Sequence, residues 1–435
     1  MDTRRRPRGR GNGRATGRGA AAGARPLLRS LDSPNFRLLA IGQLASNTGT
    51  WMQKVAQDWL VLKLSHGDGT ALGITTALQF LPLLLLGPCG GVLVDRCPKR
   101  PILVAVQAAL CVLALIPGFL AVTGTATLGS VYLLALVLGL TTVVEKPALQ
   151  AFIAEAVPPA DLLNALALNS TALNLARIAG PALAGPVIAA FGVGPAFFLN
   201  SVSYAVVLAT LLLMDTAALR TPPAAARAKG LVRAGLRYVR ADPDLGLTLT
   251  LVAFIGAFGM NFPITTALMA TRVFHARAAT FGLGATALAV GAVAGSLLAA
   301  HYGRCGPRYL AATALAFGLS ETGASLTTSY PAFLLMLVPT GTALLLVMIA
   351  AKARIQLGVA DEMRGRVTSL YMVASLGTTP LVAPLIGWIS QEASPRAGLA
   401  LGGIASAGAA MAIGLLYRRL PAVRPPLTSG ALRPV

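Results

Sequence analysis

The chain has 435 residues, of which 55% are hydrophobic and only 12% charged, with a mean hydropathy of +0.71. So few charges exclude an ordinary soluble domain and imply an all-α polytopic membrane protein. The formal net charge of +21 would suit nucleic acid or acidic lipid, so where the bases lie decides what they do.

Residues 1–35 hold nine arginines among Gly, Ala and Pro, too little apolar surface for a core. This is expected to be a disordered basic cytoplasmic tail. It does not read as a cleavable signal, because the apolar run that follows is too long for one. Attraction to anionic lipid and orientation of the first helix are its expected roles, and nucleic acid is not expected as a partner.

At roughly 20 apolar residues per crossing, twelve spans are predicted, at 36–64, 70–94, 101–123, 127–150, 163–191, 193–214, 245–271, 279–301, 307–327, 329–353, 364–391 and 396–417. They form an N-terminal six-helix bundle at 36–214 and a C-terminal one at 245–418, separated by a basic loop at 215–244 and followed by a tail at 419–435. Twelve crossings put both termini on one side. That side carries 28 of the Lys and Arg residues, against 4 in the opposite loops, so both termini are predicted to be cytoplasmic.

In the first span Gln43, Asn47, Trp51, Lys54 and Asp58 recur at helical spacing, which puts them on one face, expected to line a central cavity. Lys54 and Asp58 are one turn apart. Two readings follow: a structural ion pair, or a proton-coupling carboxylate whose affinity Lys54 adjusts. Trp51 is either a stacking platform for cargo or helix packing.

The turn after the second span runs Gly91-Val-Leu-Val-Asp95-Arg96-Cys-Pro-Lys99-Arg100. Its bases assign it to the cytoplasmic surface, and Asp95 is placed to cap a helix or meet a base across an interface, as a latch.

The fourth span ends near Glu145 and Lys146, and Glu145 is expected to meet Arg177 of the fifth. Arg177 follows Asn164, Ser170 and Asn174 along a polar stripe near mid-membrane, where a charge costs about 2.5 to 3.5 kcal/mol by insertion scales. It either binds cargo or a coupling carboxylate, or belongs to a buried pair. Beyond it, Gly180, Pro181 and Gly185 allow close packing and a kink. Glu321, alone in the ninth span, is expected near the outer surface.

Within the central loop, Leu231, Leu236 and Val239 share a stripe, with bases at 233, 237 and 240, as in an amphipathic helix on the bilayer. The halves read as repeats. Arg96-Cys-x-x-Arg100 returns 208 positions later as Arg304-Cys-x-x-Arg308, and two such halves can share one central site. The four cysteines have no Cys-x-x-Cys spacing, so neither a disulfide framework nor a metal site is expected.

The turn at 91–100 resembles the loop between the second and third helices of the major facilitator superfamily. Gly91, Leu93, Asp95, Arg96, Lys99 and Arg100 match it, and Pro98 stands where glycine is usual. The fifth span resembles the helix motif of drug/proton antiporters at Gly180, Pro181 and Gly185, with Ala167, Ala176 and Ala184 in place of other glycines. Phe36-Arg-Leu-Leu-Ala-x-Gly-Gln-Leu, Trp59-Leu-Val-Leu, Pro147-Ala-Leu-Gln-Ala-Phe, Leu166-Ala-Leu-Asn-Ser, Gly235-Leu-Arg-Tyr-Val and Arg364-Gly-Arg-Val-x-Ser-Leu-Tyr-Met resemble the bacterial branch that includes the enterobactin exporter. These resemblances imply a multi-pass transporter of the bacterial plasma membrane, without cofactor, exporting drugs, siderophores or other amphipathic molecules against protons, as a monomer. They also imply that Asp95, Arg96 and Arg100 hold the cytoplasmic side closed.

No G-x-x-x-x-G-K-S/T loop supports primary transport, and no H-E-x-x-H or G-x-S-x-G supports an intramembrane enzyme. The expected function is proton-coupled export of small amphipathic molecules. The alternative is a facilitator or importer without that coupling, and a non-transporting receptor stands behind it.

Overall fold

A long apolar stretch in hydrocarbon has to satisfy its backbone amides internally, and helices do so within one segment. The computed structural model describes residues 28–219 and 231–419, and among these it consists of helices and short connections, without a strand. The first six long helices are α1 (Pro34–Leu64), α2 (Gly69–Arg96), α3 (Lys99–Thr123), α4 (Leu128–Ala156), α5 (Leu162–Phe191) and α6 (Gly194–Leu213). A short α7 (Leu231–Ala241) precedes the second set.

The seventh crossing is interrupted. It consists of α8 (Pro243–Phe254), a π-helical turn (Ile255–Gly259), α9 (Phe262–Leu268) and a second π-helical turn (Met269–Val273). Then come α10 (Ala278–Phe281), α11 (Leu283–Tyr302), α12 (Pro307–Ser325) and α13 (Tyr330–Gly358). The eleventh crossing is α14 (Asp361–Met372), a π-helical turn (Val373–Gly377) and α15 (Thr379–Glu392), and the last is α16 (Pro395–Arg419).

Helix ends follow local chemistry. Asp68 caps α2 by accepting from Thr70 N at 2.7 Å, Thr127 and Ser130 form a reciprocal capping box at the start of α4, and Gly124 ends α3 at φ +73°.

Ten of the described helical segments are long and apolar enough to cross a membrane, against the twelve expected. The two that fall short are α1 and α12. Each carries polar side chains on the face it turns inward: Gln43, Gln53 and Gln57 of α1 and Glu321 of α12 are all buried. Both are nevertheless packed as full members of the bundle, α1 on α5 and α6, α12 on α13 and α16.

The remaining contacts repeat between the two sets. Helix α2 lies on α4 and α3 on α6, as α11 lies on α13 and α12 on α16. The sets meet where α2 runs along α15 and where α5 runs along α10 and α11. A Cβ on Gly73 would lie 2.5 Å from Ala383 O, and Gly387 and Gly69 approach backbone to backbone. Gly282 presses on Pro181 O and Gly185 on Ala279 O in the same way, Trp59 meets Phe281 edge-on at 4.9 Å, and Gly69 N donates to Gln391. These contacts lie toward the end of the bundle away from the N-terminus of α1, and they form its seal.

Two segments differ from expectation. Part of the predicted tail packs on the bundle, because Arg29 pairs with Asp161 at 2.9 Å and Ser30 N and Oγ both donate to Asn164; the rest of the predicted tail, 1–27, lies outside the described residues. Helix α7 is amphipathic as expected, but it packs on α14, with Val239 buried in the core and Gly235 against Arg366 and Leu370. Residues 220–230 and 420–435, parts of the predicted central loop and C-terminal tail, are also outside the described set.

Candidate functional site

Helices α1, α4 and α5 bring the charged groups together. Gly180 is the reason α5 can approach: a Cβ there would lie 2.5 Å from Trp51 Cβ and 2.7 Å from Thr48 O. One turn earlier on α5, Arg177 comes over the Trp51 ring, with Cζ 5.2 Å from the centroid. Lys54, one turn later on α1, places Nζ 4.2 Å from the same ring. Lys146, Arg177, Asp58 and Glu145 all lie close enough to act electrostatically on Lys54. Five charged side chains from three helices thus act on one another, and two of them, Lys54 and Arg177, share one indole.

They do not neutralise each other by contact. The ion pairs found among the described residues are Arg29–Asp161 and Arg354–Asp244, so neither the Lys54–Asp58 pair nor the expected meeting of Glu145 with Arg177 is formed. Arg177 Nε is buried without a hydrogen-bond partner, and its neighbour is the Trp51 ring instead. Glu145 lies beside Gln107, whose amide atoms remain outside hydrogen-bonding geometry. A cation over an indole gains about 0.5 to 2 kcal/mol, less than the roughly 2.5 to 3.5 kcal/mol that a mid-span charge costs. The balance calls for a further partner.

The other expected cavity residues divide. Gln43 is buried, Asn47 and Asn174 are half-buried, and Ser170 is exposed. Asn164, at the start of the stripe, ties α5 to Ser30. Sequence spacing missed Gln53, which accepts from Asn200 Nδ2 at 2.6 Å in a buried bond between α1 and α6.

In the turn after α2, Arg100 Nε and NH2 donate to Leu211 O and Leu212 O, so this base holds the carbonyl end of α6. Lys99 is half-buried near Glu155 and Arg96 is exposed. The surroundings of Gly91 and Asp95 lie outside the described residues. Helix α5 runs unbroken from Leu162 to Phe191, and its motif acts through close approach, Gly180 onto α1 and Pro181 and Gly185 onto the segment around α10.

Glu321, one turn before the end of α12, is 2% exposed, between α12 and α16, with Oε2 unpartnered. Asn261 and Ser406, also buried with orphan oxygens, are its neighbours through Gly259, Gly402 and Phe258. At the other end of this half, Arg354 pairs with Asp244, donates to Cys305 O at 3.2 Å and lies over Tyr417 at 5.4 Å. No motif pointed to either group, because each depends on helices far apart in sequence.

A family model described as transmembrane secretion effector matches residues 27–427. Among curated proteins, the chain is 22% identical over 257 residues to a staphyloferrin A transporter of Staphylococcus aureus, covering 58% of this chain and 63% of that one. It is 26% identical over 256 residues to an uncharacterized MFS-type transporter, YfiS, of Bacillus subtilis, covering 58% and 59%. The matched stretch thus spans about three fifths of each curated relative.

Among solved structures, the fold is similar to a POT family transporter in complex with 5-aminolevulinic acid, with TM-score 0.73, 9% identity, and coverage of 89% and 96%. It is also similar to a bacterial homolog of the human lysosomal transporter Spinster in an inward-facing, unoccupied conformation, with TM-score 0.66, 17% identity, and coverage of 89% and 97%. The chain belongs to the transmembrane secretion effector family of the major facilitator superfamily, and its fold is that of multi-pass membrane proteins.

Proposed function

We propose that this protein is a proton-coupled secondary transporter that exports small amphipathic molecules, such as drugs or siderophores, by alternating access. The observation that carries the reading is the charged cluster on α1, α4 and α5, held at mid-helix beneath a packed seal. With both termini in the cytoplasm, as the bases argue, the seal is on the outer side, as the loading state of an exporter requires. The 36–214 and 245–418 halves then rock against each other, breaking the α2–α15 and α5–α11 contacts to release cargo outward. In that second state Asp95, Arg96 and Arg100 close the cytoplasmic side. Asp58 is the proton carrier, and Lys54, Glu145 and Arg177 tune it through the field they share. The curated relative that transports staphyloferrin A supports a siderophore-sized cargo. A monomer contains all of these parts.

The test uses inside-out vesicles energised with a proton gradient, comparing wild type with Asp58→Asn while siderophores, antibiotics and dyes are added one at a time. Lumenal pH is followed by dye fluorescence. Cargo-dependent proton release in wild type, lost in Asp58→Asn, is expected. Equal cargo entry in both, or entry without a gradient, overturns proton coupling in favour of a facilitator.

A further inference from the structure

The cluster around Trp51 has a charge sign that the export reading leaves unused. Lys54, Lys146 and Arg177 are three cations against the two carboxylates of Asp58 and Glu145, and none of these is within ion-pair distance of another. Two of the cations, Lys54 Nζ at 4.2 Å and Arg177 Cζ at 5.2 Å, share one indole ring, so they stand near each other despite like charge. Arg177 further keeps a buried Nε–H with nothing to donate to. A guanidinium presents its donors as a planar fork that matches carboxylate and phosphate oxygens two at a time. Two neighbouring cations without a contact anion in a low-dielectric setting repel, and an anion placed between them turns that repulsion into attraction.

We propose that Lys54, Arg177 and Lys146 form an anion site, and that the cargo carries a carboxylate or phosphate group bound there with its apolar body against Trp51. The proposal rests on the reading of this cluster as the cargo site and adds the chemical class of the cargo. Arg177 supplies the paired hydrogen bonds. Lys54 approaches from α1, and Lys146, which is exposed, reaches the same anion from α4. Gly180 sets the spacing by holding Trp51 against α5. Asp58 and Glu145 bound the site, and the anion makes the cluster close to neutral before the halves rock.

The experiment is equilibrium binding to the full-length protein in phosphatidylcholine nanodiscs, where no anionic headgroup competes, read by tryptophan fluorescence and thermal shift. The probes are naphthalene-1-acetate and naphthyl phosphate, against naphthalene-ethanol and naphthyl-methylamine, which have similar apolar bodies but neutral or positive charge. Both anions are expected to bind at least about tenfold more tightly than the alcohol. Arg177→Gln should remove most of that preference, and Arg177→Lys should keep the charge but lose part of it with the fork. Lys146→Gln, at an exposed position that does not threaten folding, should reduce it independently.

Equal affinity for anion and alcohol, tighter binding of the amine, or no binding of any anion overturns the proposal. So does loss of the preference on adding a small fraction of phosphatidylglycerol, which would assign the site to a lipid headgroup. The assay contains no proton gradient, so a failure of antiport in vesicles leaves its outcome unchanged.

Discussion

Gly180 touches Trp51: the position a Cβ would take on this glycine lies 2.5 Å from Trp51 Cβ and 3.0 Å from Met52 N. The contact sets the distance between α1 and α5 at the level of the charged cluster, so a methyl group there is felt by Lys54 and Arg177. Gly180→Ala should force the helices apart or twist Trp51 off its rotamer, at about 1 to 3 kcal/mol. The expected result is a folded protein with a lower Tm, altered Trp emission and reduced transport. Unchanged Tm and transport would mean that the interface yields freely and does not position the cluster.

The contact between α2 and α15 gives a conformational prediction. Gly387 and Gly69 meet backbone to backbone, and Gln391 Oε1 accepts from both Gly69 N and Arg272 NH1. A side chain at 387 cannot enter that contact, so Gly387→Leu should hold the far ends of α2 and α15 apart without touching the cluster. Cysteines placed deep on α1 should then react faster with a membrane-impermeant maleimide added from outside, while transport falls. The same labelling rate as in the unwedged protein would refute the assignment of this contact as the gate.

Much of this architecture was legible in the sequence because long apolar runs have few alternatives to helix. The start of α2 at Gly69, the end of α3 before Gly124 and the basic turn before Lys99 all follow from local caps and charge. The nearness of Lys54 to Trp51 was also readable, since helical spacing puts them on one stripe. What spacing does not contain is the approach of another helix. That Arg177 would choose the Trp51 ring over Glu145 depends on how closely Gly180 lets α5 come, which is a property of two helices at once. The interruptions at Ile255–Gly259 and Val373–Gly377 escaped for the same reason. Gly256 packs on Ser375 O, and Thr379 Oγ donates to Gly256 O at 3.3 Å, so each π-helical turn is matched to the other.

Arg100 yields a prediction independent of transport. Its guanidinium donates to Leu211 O at 2.9 Å and Leu212 O at 3.2 Å, carbonyls that the end of α6 leaves without intrahelical partners. Arg100→Ala should cost about 1 to 2 kcal/mol, as expected for charge-assisted bonds at a partly exposed site. Arg100→Lys should recover only part, because one ammonium cannot reproduce the fork. Denaturant unfolding of the purified protein would measure both, and equal stability of all three would show that water satisfies these carbonyls as well as arginine does.

Glu321 supports the sharpest comparison of two variants. Both its Oε1 and Phe258 O lie within 2.8 Å of the place a Gly402 Cβ would occupy, and Asn261 Nδ2 already donates to Phe258 O at 3.2 Å. A carboxyl group carrying its proton can donate one hydrogen bond into this cluster of acceptors, whereas an ionised one would add an unpaired charge costing several kcal/mol inside the bundle. Glu321→Gln keeps the shape and a donor, so its stability should stay within about 1 kcal/mol of wild type. Glu321→Ala removes the donor and leaves a cavity beside buried orphan oxygens, for a loss of about 2 to 4 kcal/mol. The two should therefore separate clearly in thermal unfolding at constant pH. If Gln and Ala are equally damaging, the negative charge itself is what the site needs.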